Sequence, residues 1–291
     1  MNINDLLIYG RKFLLNTSVK EAPLKIRLLA EHVLKMNKYE LVTHHTKEIS
    51  EEEFNNFNIG LEKIKNCIPI QYITNNQEFM KLNFYVDENV LIPQPDTEIL
   101  VEEVIKYCLT TFQKSKVKIL DLCTGSGAIA VSLAKYINNC EITATDISSK
   151  AISIAKLNAE RNLVHTKINF IQSDMFDKIE AKDFDIIVSN PPYIEKDIIA
   201  TLDAEVQKEP LIALDGGTDG LFFYRIILKN SGNYLVNNGK IFIEIGYNQK
   251  DSIFNLIRTS KDFINPVCVK DLANNDRLII CEKGDSSNFQ I

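Results

Sequence analysis

Positive charge, cysteine, histidine and long apolar runs are all scarce in this chain, and each shortage closes off a class of function. The 291 residues carry 33 Lys and Arg against 39 Asp and Glu, a formal net charge of −6. A protein that lives on nucleic-acid phosphates needs a basic surface, so no direct nucleic-acid substrate is expected. The six cysteines, at 67, 108, 123, 140, 268 and 281, form no CxxC pair and share no regular spacing. Neither a disulfide framework nor a zinc site is expected, and a reducing cytoplasm is the expected location. The four histidines include His44-His45 with no third ligand nearby, so they read as surface residues and no metal is expected. No stretch approaches the roughly 20 uninterrupted apolar residues of a membrane span. The opening "MNINDLLIYGRKF" lacks the basic segment and cleavage site of a secretory leader.

What is present falls into two halves of different pattern. Residues 1–68 read as a small helical bundle. "INDLLIYGRKFLL" spaces its apolar residues by three and four, and "APLKIRLLAEHVLKM" places Pro23 in a first helical turn. Ser50 with Glu53 three residues on has capping-box spacing ahead of "FNNFNIGLEKIK". Residues 69–95, rich in aromatic and β-branched side chains with a polar break at Asn75-Asn76, read as an extended or hairpin linker. Pro93 and Pro95 then lead into a helix near Asp96.

Residues 96–291 alternate strand and helix. Seven strands are expected, starting near Val117, Glu141, Ile168, Phe184, Gly239, Phe263 and Arg277, with helical segments between the first five. Such alternation implies an α/β, Rossmann-like domain with a mostly parallel sheet covered on both faces, whose ligands bind beyond the carboxyl ends of the strands.

Three strand ends carry candidate chemistry. After the first, "DLCTGSGAIA" fits G-x-G-x-x-G/A with Gly125, Gly127 and Ala130, which allows a tight turn and close approach of a ligand to the backbone. A purely structural turn would look the same. After the second stands Asp146, placed to accept both hydroxyls of a ribose. It could instead cap the next helix, a role Ser148 could fill equally well. These two features fit a nicotinamide dinucleotide or S-adenosylmethionine alike. The fourth strand runs into Asn190-Pro191-Pro192-Tyr193, which suits methyl transfer to a planar nitrogen. The lone pair of an amide nitrogen is spread into its π system, so a site helps by holding the N–H groups on fixed acceptors. The Asn190 side chain and the Pro191 carbonyl are two such acceptors, the prolines restrict the backbone that carries them, and Tyr193 offers a flat face. A strand terminator without chemistry is the alternative for this stretch, and the other two strand ends weigh against it.

The order of "DLCTGSGAIA", "ATDIS", "SDMF" and "SNPPYI" resembles a class I S-adenosylmethionine-dependent methyltransferase. With "YITNNQEF", "VLIPQPDTEILVEEV", "EPLIALDGGTDGLFFYR", "IFIEIG" and "DLANNDR", the resemblance narrows to the HemK/PrmC family, the glutamine methyltransferases of peptide chain release factors. It covers about Pro69 to Lys283. It implies that Cys123, Thr124, Gly125, Ser126 and Gly127 wrap the methionine part of S-adenosylmethionine, that Asp146 holds its ribose, and that Met175 lies beside its adenine. It implies that Asn190 touches cofactor and substrate, that Asn190, Pro191, Pro192 and Tyr193 grip the glutamine of a Gly-Gly-Gln motif, and that the helical region docks the release factor. The chain departs from the family at Asn75 and Asn274, where Gly is usual, and at Gln94 and Asp96 in the "PRPET" stretch. Two readings stand beside this one: a glutamine methyltransferase of a ribosomal protein, which shares nearly every motif, and an adenine-N6 methyltransferase. A cofactor-binding scaffold without activity would be marked by a damaged Gly loop or a lost Asn190, and both are intact.

Overall fold

The computed structural model describes residues 1–113, 115–260 and 262–284. The chain forms two compact units, Met1–Asn76 with Asp203–Lys208, and Gln77–Leu202 with the residues from Glu209 onward.

The first unit is helical: α1 (Ile3–Leu14), α2 (Ala22–Leu34), α3 (Lys38–Thr43), α4 (Glu51–Lys65) and α5 (Ile70–Thr74). Three helix starts are closed by reciprocal capping boxes, Asn2 with Asp5, Asn37 with Glu40 and Ser50 with Glu53, each satisfying amide donors that the first turn leaves open. Ile3, Leu6, Ile26, Leu29, Phe57, Leu61 and Ile64 form its core. Gly60 lets α4 close on α2, since a Cβ there would sit 2.3 Å from Leu29 Cδ1. The segment Asp203–Lys208 belongs to this unit, and its Glu205 pairs with Lys25, a lysine only 6% exposed.

Helix α5 corrects the expectation of extended chain across "YIT". Asn75 ends that helix in the left-handed region (φ 51°), the conformation a C-terminal glycine ordinarily takes and asparagine tolerates. The hairpin follows instead as β1 (Gln77–Phe79) and β2 (Leu82–Phe84), turning through Met80 and Lys81, both at positive φ (50° and 58°).

The second unit continues with α6 (Glu98–Thr111), β3 (Val117–Leu122), α7 (Ala128–Tyr136), β4 (Cys140–Asp146), α8 (Ser149–Arg161), β5 (Ile168–Gln172) and β6 (Phe184–Ser189). It ends with α9 (Leu211–Leu214), α10 (Phe222–Asn230), β7 (Leu235–Glu244), α11 (Lys250–Ser260), β8 (Phe263–Lys270) and β9 (Asp276–Lys283). The sheet order is β5-β4-β3-β6-β7-β9-β8. The first five strands in that order are parallel, and β9 alone runs antiparallel, between β7 and β8, as expected of a mostly parallel sheet. Alternate strand residues feed two cores: Ile119, Ile142, Ile186 and Val188 pack with Val101, Val104 and Leu133 on one face, and Leu120, Leu122, Ile187 and Ile241 pack with Tyr224, Ile227 and Ile253 on the other. Strands β3 and β6 are neighbours from which the chain departs in opposite directions across the sheet, so the loops after them flank the crevice where such sheets bind ligands. Among the described residues no helix is long and apolar enough to cross a membrane.

Candidate active site

A cavity of about 290 Å³ opens at this crevice, walled by Cys123 and Gly125 after β3, Asp146 at the end of β4, Met175 after β5, and Asn190 and Pro192 after β6. Val90, Ile212, Phe222 and Phe223 complete much of its apolar lining. Thr124, Ser126, Gly127, Pro191 and Tyr193 are not among its lining residues.

In the Gly loop, Gly127 has φ +80° and a Cβ there would lie 3.0 Å from the Cβ of Ala155, so this glycine lets the loop rest on α8. Gly125 has φ +55°, but nothing lies within 4 Å of its missing Cβ. The space it leaves open is cavity. The loop is pinned from below: buried Asn158 on α8 donates to the Ser126 carbonyl (2.8 Å) and to the Tyr85 carbonyl (3.0 Å), and its Oδ1 accepts from the Tyr85 amide (2.7 Å). Thr124 donates to Asp121 Oδ2 at 2.6 Å. Asp121 is fully buried with its other oxygen unpartnered, and burial, together with nearby Asp146, pushes its carboxyl up to about 7. Cys123 sits at φ +61° and Met175 at φ +43°, both left-handed without being glycine. Burial, with Asp146 and Asp121 beside it, raises the Cys123 thiol, so it stays neutral.

Asp146 keeps its carboxylate on the cavity side. Its Oδ2 accepts from the Gly125 amide and its Oδ1 from the Ser148 amide, each at 2.9 Å, while Ser148 caps α8 by accepting from Ala151. The cap is therefore Ser148. Burial raises the Asp146 carboxyl, opposed by the amides of Ser148, Gly125 and Ile147.

At the β6 end, Asn190 Nδ2 donates to Thr97 Oγ1 at 3.1 Å. With the amide nitrogen so occupied, the planar group has its oxygen free for a donor in the cavity. Tyr193 packs beneath, its hydroxyl directed at Glu244 Oε1 over a long 3.5 Å. Burial and Glu244 raise the Tyr193 phenol well above its usual range. The backbone after the two prolines is braced by the "LDGGTDG" segment: the Ile194 amide donates to Leu214 O and Gly216 donates back to Ile194 O (3.0 and 2.8 Å). A Cβ at Gly216 would lie 2.7 Å from Tyr193 Cα, and one at Gly220 (φ +68°) 2.5 Å from Tyr193 O. Gln249 closes the clamp. Its Nε2 donates to Tyr193 O (2.9 Å) and Gly220 O (3.2 Å), and its Oε1 accepts from the Gly246 amide (2.9 Å). Sequence reading missed Thr97, Asp121, Asn158, Glu244 and Gln249. The glycine-dense "DGGTDG" was the one visible hint that a backbone passes close by. Among the described residues no group of His, Cys, Asp and Glu could hold a metal ion.

This sheet order, with a glycine loop and an acidic strand end at its crevice, is a fold that solved methyltransferases share. A methyltransferase from Pyrococcus furiosus superposes with a TM-score of 0.51 at 19% identity, covering 70% of this chain and 90% of that one. The methyltransferase small domain family model matches residues 97–208 and that of the PrmC N-terminal domain matches residues 5–74. The release factor glutamine methyltransferase of Clostridium botulinum is 39% identical over 286 residues, 97% of this chain and 100% of its own. That of Clostridium acetobutylicum is 39% identical over 287 residues, 98% and 99% of the two chains. The chain belongs to the release factor glutamine methyltransferase family.

Proposed function

We propose that the protein transfers a methyl group from S-adenosylmethionine to the side-chain amide nitrogen of the glutamine in the Gly-Gly-Gln motif of peptide chain release factors, in the cytoplasm. The observation that carries this reading is the Asn190 amide, held by Thr97 through its nitrogen so that its oxygen serves the cavity. The open space over Gly125 fits a ligand that lies along the backbone. Gly125 with Cys123 would hold the methionine part, Asp146 the ribose and Met175 the adenine.

S-adenosylmethionine, when bound, supplies an electrophilic methyl on a sulfonium. The protein's own residues present the nucleophile. Asn190 Oδ1 and the Pro191 carbonyl accept the two amide protons of glutamine, turning the nitrogen lone pair out of the shared grip and along one line. Pro191 and Pro192 keep the carbonyl from rotating, and Tyr193, clamped through Gln249, packs against the planar group. No strong base is needed, because the nitrogen becomes acidic as it gains carbon. The helical unit carries none of these groups, and its role in this reading is to dock the release factor.

Transfer of labelled methyl to a purified release factor tests the proposal. The intact factor takes up label, a factor with the motif glutamine changed to glutamate takes up none, and duplex DNA takes up none. Equal labelling of DNA adenine, or of a ribosomal protein alone, would refute it.

A further inference from the structure

Thr97 occupies the N-cap position of α6, where a threonine hydroxyl ordinarily accepts from the first-turn backbone. Here it makes no such cap. The residue is 4% exposed, and its Oγ1 accepts from Asn190 Nδ2 instead. A hydroxyl that accepts in this way still has a proton to donate. The acceptor beside it is Glu244 at the end of β7, 2% exposed, whose charged form is favoured by a hydrogen bond with the Thr97 hydroxyl and whose Oε2 has no further partner.

We propose that Glu244 is a positioning residue that acts through Thr97 to set which end of the Asn190 amide faces the cavity. The proposal rests on the amide-methylating reading of the site. An ionised Glu244 can only accept, so the Thr97 proton turns toward it and the Thr97 lone pairs turn toward Asn190 Nδ2. Asn190 then offers oxygen to the cavity, as a glutamine N–H requires. A protonated Glu244 can donate to Thr97. The Thr97 proton then turns toward Asn190, the amide flips to accept it, and a donor faces the substrate nitrogen in place of an acceptor. The signal is carried by the direction of two hydrogen bonds. The buried carboxylate thus has a use that offsets the desolvation it costs.

The groups facing Glu244 leave it able to switch near neutral pH. Burial raises its carboxyl to about 7, against the Thr97 hydroxyl and Arg277, which favour the charge, and with Asp96, which disfavours it. Tyr193 faces it from the loop after β6, and Tyr224 from α10 donates to its backbone carbonyl at 3.0 Å. Arg277 on β9 is itself held by Asp96 (3.0 Å) and Asp271 (3.2 Å), which keeps it from neutralising Glu244 outright.

Glu244→Gln copies the shape of the protonated acid. It should lower kcat by about tenfold or more, as expected for a misoriented reacting group, while the dissociation constant for S-adenosylmethionine changes less than about twofold. The acid limb of kcat against pH near 7 should disappear. Thr97→Val should give the same loss without adding to that of Glu244→Gln, because both cut one relay, and Thr97→Ser should recover activity to within about threefold by restoring the hydroxyl. The relay is also readable without turnover. In nitrogen-15-labelled protein, the side-chain amide signals of Asn190, identified by their loss in Asn190→Ala, should move with pH around 7 in the wild type and stay fixed in Glu244→Gln. Identical pH profiles for the two proteins, multiplying losses in the double variant, or an Asn190 signal indifferent to pH would overturn the relay. Failure of the wild type to methylate a release factor would strike the proposed substrate instead, and the amide titration would still decide the relay.

Discussion

Asn190 and Asp146 share one cavity wall but should fail in different ways. In the proposed reaction Asn190→Ala removes the acceptor that would both hold the substrate amide and orient it. One unmade buried hydrogen bond costs on the order of 1–3 kcal/mol, and loss of a near-attack geometry about 100-fold in rate, so turnover should collapse while cofactor affinity changes little. Asp146→Ala should raise the cofactor dissociation constant first, since the Gly125 and Ser148 amides also lose their acceptor. Calorimetric titration and a steady-state assay on each variant check the pair, and near-normal turnover in Asn190→Ala at saturating substrates would reduce "NPPY" to a strand terminator. The two loop glycines separate in the same fashion. Gly127→Ala meets Ala155 at 3.0 Å with φ +80°, so it should lose on the order of 2 kcal/mol of stability through strain and crowding. Gly125→Ala meets nothing within 4 Å, so it should unfold at lower denaturant by only about 1 kcal/mol and lose mainly cofactor binding, because its methyl enters the cavity. Denaturation midpoints set beside cofactor titrations discriminate the two.

At the scale of elements, the loop after β6 is held less by its prolines than by the segment folded onto it. Gln249→Ala would leave Tyr193 O, Gly220 O and the Gly246 amide without their shared partner. A network of this kind should cost on the order of 3 kcal/mol, and kcat should fall with it though Gln249 is not in the cavity wall. Unchanged kcat in a folded Gln249→Ala protein would show that the clamp is decorative. The strands themselves were legible because a sheet buried on both faces needs apolar runs such as Val117–Leu122 and Phe184–Ser189, and the start of α4 because the Ser50–Glu53 capping pair has a fixed spacing. The hairpin turn was not legible: Met80 and Lys81 adopt the positive φ for which glycine and asparagine are the usual signal. The departures at Asn75 and Asn274 were legible only as differences, and the structure puts both at left-handed φ (51° and 68°), where asparagine can do a glycine's work. Gly125, Asp146 and Asn190 were readable because each ends or follows a strand, while Cys123 and Met175 came only with the family resemblance. Glu244 and Gln249 were hidden because a polar residue at a strand end or helix approach has many ordinary roles, and only tertiary pairing singles one out.

For the whole molecule, stability and activity should pull apart with pH. Asp121, Glu209 and Glu244 are buried carboxyls each raised to about 7; Glu209 accepts from the Ile92 amide at 2.9 Å. A carboxyl whose pKa is raised on folding binds its proton more tightly in the fold. Stability therefore rises as pH falls from 8 through 7 and levels off below the unfolded value, each proton taken up being worth ~1.4 kcal/mol per pH unit. Below pH 4 the trend reverses, because Asp219, held down to about 2 by Arg225, and Glu53, lowered by Ser50, lose the stabilisation of their charged forms. Melting temperature should thus be higher at pH 6 than at pH 8 and should fall again below 4, and a flat profile from 8 to 6 would contradict the burial of these three acids. A chain shortened to begin at Gln77 should still bind S-adenosylmethionine but transfer methyl poorly to an intact release factor, whereas unchanged kinetics would deny the helical unit a docking role. The central claim, one glutamine nitrogen gripped by the tip of β6, is reached most directly by tandem mass spectrometry of a release factor after incubation with methyl-labelled cofactor. The account predicts a single added methyl on the side-chain nitrogen of the Gly-Gly-Gln glutamine, absent when Asn190→Ala is used. A methyl on any other residue, or full modification by Asn190→Ala, would contradict it.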